Sequence, residues 1–117
     1  LEQAKPDVLA VSVGNVHRLE NTFVDIDFSR FGELQTALNV PLVIHGTSGV
    51  KTPDIQKLAQ GNVCKFNICT CLRQRFGKSL RHILETDPNL FDRLTIMKTI
   101  IPEVSNEADK MIGLLGQ

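Results

Sequence analysis

Pro41-Leu-Val-Ile-His-Gly-Thr-Ser-Gly49 decides the fold, because it runs a strand, a polar terminus and a small-residue loop into one another. The apolar run Leu42-Val43-Ile44 has no polar alternation, which predicts a strand buried on both faces, as in a parallel sheet covered by helices. Beyond the loop, Thr52 and Pro53 read as N-cap and first helical residue. The short helix they open has Ile55, Leu58 and Ala59 on its inner face and ends at Gly61. The same unit recurs on both sides. Residues 7–13 predict an earlier strand, stopped by Gly14-Asn15, and residues 63–67 a later one. Between the first two strands, Asp27 predicts an N-cap, and Phe28, Phe31, Leu34 and Leu38 fall on one helical face. Residues 70–86 predict a helix with Leu72, Phe76, Leu80, Ile83 and Leu84 on one face, broken by Asp87-Pro88. Residues 91–115 keep helical spacing but contain Pro102, so a kink or two helices is expected there. Strand alternating with helix predicts an α/β fold built from βαβ units.

The 117 residues carry 13 Lys+Arg against 13 Asp+Glu, and this balance argues against a nucleic-acid partner, which calls for a basic excess or stripe. The densest basic run, Arg73, Arg75, Lys78 and Arg81, alternates with apolar residues and reads as the wet side of a helix. No apolar run approaches the ~20 residues that cross a bilayer, and no signal-like leader is seen, so no membrane partner is expected. The three Cys, an odd number within residues 64–71, point to a reduced, cytoplasmic setting, with Cys64 a small buried strand residue. The chain opens on Leu1 rather than Met, and the expectation is that it continues from a longer protein.

Each strand ends in a polar cluster: Gly14-Asn15-Val16-His17, then His45-Gly46-Thr47-Ser48-Gly49, then Asn67-Ile68-Cys69-Thr70. In parallel α/β folds that edge collects ligands and catalytic groups. His17 and His45 sit one βα unit apart, so adjacent strands would bring both imidazoles to one rim, in reach of one metal ion. A structural, hydrogen-bonded role is the competing reading of each. Two ligands are also fewer than the three a zinc site requires. His82, mid-helix beside Arg81 and Glu85, reads as solvated. The loop at Gly46, Thr47 and Ser48 suits a phosphate: glycine lets backbone N–H groups approach an anion, and the hydroxyls add donors. A plain turn is the competing reading of that loop. For Asn67 and Thr70 the alternatives are a turn and a helix cap.

At these spacings the segments Leu9–His17, Pro41–Gly49 and Lys65–Thr70 resemble the C-terminal portion of the class II, zinc-dependent ketose-bisphosphate aldolases. The resemblance runs over essentially the whole chain. It implies one domain part, residues 1–117, forming the last three βα units and C-terminal helices of a (βα)8 TIM barrel. It implies Zn2+ as cofactor, with His17 and His45 as ligands. It also implies a phosphate site for dihydroxyacetone phosphate at Gly46, Thr47 and Ser48, and ketose-phosphate contacts from Asn67, Ile68, Cys69 and Thr70. The implied reaction is reversible aldol cleavage of fructose or tagatose 1,6-bisphosphate to dihydroxyacetone phosphate and glyceraldehyde 3-phosphate, in glycolysis and related carbohydrate metabolism. The third zinc His and the proton-transferring Asp belong to the family's N-terminal half, so no catalytic residue is expected in this chain. A homo-oligomer is expected of the full-length protein.

The sequence departs from the family pattern at Arg18, where Gly is usual, at Thr47, where Gly or Ala is usual, and at Cys71, where Glu is usual. Cys69 also lies in the ligand-contacting segment. A catalytically inactive truncated homologue that retains sugar-phosphate binding is therefore the alternative. A third reading is a phosphate-binding piece of another barrel enzyme. A (βα)8 barrel needs at least ~200 residues, which supports the expectation of a longer chain.

Overall fold

The structure, a computed structural model, describes residues 4–15 and 23–116. Three strands form one parallel sheet in the order β1 (Leu9–Val11), β2 (Leu42–Ile44), β3 (Val63–Phe66). Leu9, Ala10 and Val11 lie opposite Leu42, Val43 and Ile44. Between β2 and β3 the register shifts at Leu42/Val43, so that Lys65 faces Val43. All three residues of β2 are buried, as a central strand covered on both faces requires.

Helix α1 (Phe28–Ala37) starts where expected: the Asp27 carboxylate accepts from the Arg30 backbone N–H at 2.9 Å. Asp27→Ala should lower the free energy of unfolding by about 1 kcal/mol, read as a lower urea midpoint with unchanged slope. Phe31 and Leu34 turn inward, and Gly61 lets the Phe31 ring approach so closely that an added Cβ would meet it at 2.8 Å. Helix α2 (Thr52–Ala59) begins one residue earlier than the Thr52-Pro53 pattern predicts. The Lys51 carbonyl takes the first helical bonds, from Asp54 and Ile55 N–H, so Lys51 and not Thr52 is the cap. The core gathers Val13, Phe31, Leu42, Ile44, Val50, Ile55 and Leu58 between sheet and helices. Fully burying Ile44 or Leu58 stabilises the fold by about 1.5–3 kcal/mol each.

Helix α3 (Thr70–Thr86) matches its expected span, and α4 (Arg93–Leu115) packs along it. None of α3 is fully buried. Phe76 and Leu84 stay more than a third exposed, so its apolar face is only partly covered by described residues. Arg73, Lys78 and Arg81 are exposed, and Arg75 instead pairs with Glu103 of α4 at 3.1 Å. Of the outcomes expected at Pro102, a kink or two helices, the second does not occur: α4 is one helix of 23 residues. Pro102 has no N–H to give the Lys98 carbonyl, and both residues are exposed. Strand β1 is shorter than residues 7–13, and Cys64 is exposed rather than buried, because β3 is an edge of the described sheet. No helix among the described residues is long and apolar enough to cross a membrane.

Candidate functional site

The carboxyl ends of the three strands bring three polar segments to one rim. At the end of β1, Gly14 turns the chain with φ of +96°, in the region open to glycine. Asn15 is buried behind it. Its Oδ1 accepts from the Val13 N–H at 2.7 Å, and its Nδ2 donates to the His45 carbonyl at 2.9 Å and, at 3.5 Å, to that of Val11. One carboxamide thereby joins the ends of β1 and β2. His17 and Arg18 lie outside the described residues, so the expected meeting of the two imidazoles rests on sequence.

His45 follows β2 directly and is half-buried. The Asn67 amide stands beside its ring, with Nδ2 3.1 Å from Nε2 and 3.3 Å from Nδ1. The Asn67 backbone N–H donates to the Ile44 carbonyl at 2.8 Å, so the residue extends the β3 pairing by one step rather than forming a free turn. Gly46 takes the left-handed conformation at φ +63°, opening a 3-10 turn over Thr47–Gly49 that closes with bonds from Gly49 to Gly46 and Val50 to Thr47. Thr47 is buried, and its Oγ1 has no hydrogen-bond partner among the described residues. Such an atom is costly unless a partner is supplied.

Ser48 reaches across to the third segment. Its Oγ accepts from the Cys71 N–H at 3.1 Å, in the first turn of α3. The helix end therefore takes its side-chain acceptor from the neighbouring loop. Its own cap position, Cys69, supplies none, and Thr70 is the first helical residue rather than the cap. Ile68 and Thr70 are half-buried and Cys69 is exposed. Sequence spacing alone shows neither the Ser48–Cys71 bond nor the Asn15 tie, since both join residues far apart in the chain. The polar residue planted after each apolar strand was the available signal.

A second strand-like segment backs the loop. Val24 bridges Val50 in parallel, and its N–H donates to the Gly49 carbonyl at 2.9 Å. Beside it Lys51 pairs with Asp25, an exposed contact that lowers the Asp25 pKa and raises that of Lys51 through hydrogen bond and charge. The described residues contain no group of three or more His, Cys, Asp or Glu close enough to hold a metal, and His45 is the one imidazole that they place at this rim. A half-buried imidazole at the strand ends fits one zinc ligand.

Solved structures share this fold. The YdjI aldolase from Escherichia coli K12 matches with a TM-score of 0.80 and 28% identity over 98% of this chain and 40% of that one. A provisionally assigned fructose-1,6-bisphosphate aldolase from Coccidioides immitis matches with a TM-score of 0.80 and 21% identity, over 94% of this chain and 38% of that one, a likeness of fold. The chain thus spans about 40% of the length of these structures, and its three parallel βα units are part of a (βα)8 barrel. The family profile of class-II fructose-bisphosphate aldolase matches residues 1–117, and the chain belongs to that family.

Proposed function

We propose that residues 1–117 form one unit of a zinc-dependent ketose-1,6-bisphosphate aldolase, which cleaves its substrate to dihydroxyacetone phosphate and glyceraldehyde 3-phosphate. The observation that carries this reading is the convergence of the loops after β2 and β3, through the Asn67–His45 contact and the Ser48–Cys71 bond. Family membership supplies the chemistry that such a rim serves.

His45, together with His17, would hold the zinc, which when bound supplies Lewis-acid polarisation of the ketose carbonyl. The Asn67 amide stands beside the His45 ring and limits its rotation. Gly46, Thr47 and Ser48 grip the phosphate of the ketose: Gly46 exposes the main chain, and the Thr47 hydroxyl has donor capacity that no described residue uses. Residues 67–70 close the other side of that phosphate, placed by the bond from Ser48. The third metal ligand and the proton-transferring carboxylate come from the part of the family fold that this chain does not contain. The free thiols and neutral charge balance support a cytoplasmic enzyme of carbohydrate metabolism, assembled, as the family resemblance implies, as a homo-oligomer.

Ser48→Ala in the full-length enzyme tests the phosphate grip. Loss of one donor to a charged ligand and of the α3 tie should raise KM for fructose 1,6-bisphosphate about tenfold, with zinc content unchanged. An unaltered KM would remove the loop from the substrate site, and zinc lost along with it would make the loop part of the metal site instead.

A further inference from the structure

A cavity with charged groups on a largely apolar wall lies between α3 and α4, away from the rim. Lys78 and His82 stand roughly 12 and 18 Å beyond Thr70 along α3, at 1.5 Å per residue. Arg75, Lys78 and His82 follow at spacings of three and four, so all three side chains share one face. With Ile83, and with Thr99 and Glu103 across the groove on α4, they enclose about 290 Å³. That volume is at the small end for a ligand site.

Its chemistry selects the ligand. Arg75 offers Nη2 to Glu103 at 3.1 Å, while its Nε–H is shielded from water and has no acceptor among the described residues. Lys78 and His82 are exposed at the mouth. Arg75, Lys78 and Glu103 sum to one positive charge, which matches a carboxylate better than a phosphate dianion. Ile83, Thr99 and the aliphatic stems of Arg75 and Lys78 offer apolar wall to the rest of the molecule. We infer that the α3–α4 groove binds a small organic carboxylate with a compact apolar body. Its head group meets Lys78 and competes with Glu103 for Arg75. The site uses none of the rim residues, so it stands apart from the aldolase reading.

Benzoate is the probe, titrated into the full-length protein with the Ile83 and Thr99 methyl groups followed by NMR. Saturable shifts at both methyls are expected, with a Kd on the order of 1 mM for so small a ligand. Lys78→Gln should weaken binding about tenfold. Glu103→Gln, which removes the competing carboxylate and releases Arg75, should tighten it several-fold. A purely structural role for the cluster predicts no such opposite signs. Absence of saturable shifts, shifts confined to the Thr47, Ile68 and Thr70 methyls at the rim, or equal affinity in wild type and Lys78→Gln would each overturn the site.

Discussion

His45→Ala should empty the full-length enzyme of zinc and lower aldol cleavage by about 10³-fold, since Lewis-acid stabilisation is worth several kcal/mol and each 1.4 kcal/mol is a factor of ten. The variant separates chemistry from folding unusually well. What ties β1 to β2 at this point is the His45 backbone carbonyl, which accepts from Asn15, and alanine keeps that carbonyl. The imidazole is half-buried, so its removal takes little apolar surface from the core. The thermal midpoint should therefore shift by only a few degrees while metal content, read by elemental mass spectrometry, collapses. A variant that retains both zinc and turnover would end the ligand assignment. One that loses zinc and melts far earlier would show the ring to be structural.

Gly14→Ala should cost about 3–5 kcal/mol of folding free energy, a large part of a typical domain's stability. Two effects add. At φ +96° an L-residue is strained by about 1–3 kcal/mol. The new methyl would also lie 2.6 Å from the Asp25 carbonyl oxygen, a backbone atom that can move only by displacing the segment that carries Val24 and Asp27. That segment is pinned from both sides, by the Val24–Gly49 and Asp27–Val13 bonds, and cannot retreat freely. Urea unfolding compares this variant with Gly32→Ala, in the middle of α1, where an added Cβ meets nothing within 4 Å and stability should hold or rise. Equal midpoints for the two would show that the Gly14 turn relaxes at no cost.

The elements that packing makes locally redundant were legible in the sequence. Leu42-Val43-Ile44 could be little else than a buried strand, and residues 70–86 carry both a helical period and the Asp87-Pro88 stop that ends it. The Asp27 cap was equally plain, because capping is a local bond. The errors share a cause. Pro102 disfavours a helix interior in isolation, yet here α4 runs through it as one helix packed against α3 and α2. Cys64 was assigned to the interior on residue type, which says nothing about whether its strand lies at an edge. At the rim, residue identities were readable and their partnerships were not. Ser48 accepting from Cys71 joins positions 23 apart, and Asn15 reaching His45 joins positions 30 apart.

The carboxamide of Asn15 bears on how the sheet chooses its alignment. Strand β1 has three residues and meets β2 through three pairs, a ladder too short to resist slipping by one position on backbone bonds alone. The Asn15 Oδ1 is held within its own segment by the Val13 N–H, which aims the Nδ2 at the His45 carbonyl when Val11 lies opposite Ile44. A slipped pairing would part that Nδ2 from the His45 carbonyl, at a penalty of about 1–3 kcal/mol for a buried group left unmatched. A polar side chain thus acts as a proofreader of strand alignment, and the height of His45 above the sheet is set by the same choice.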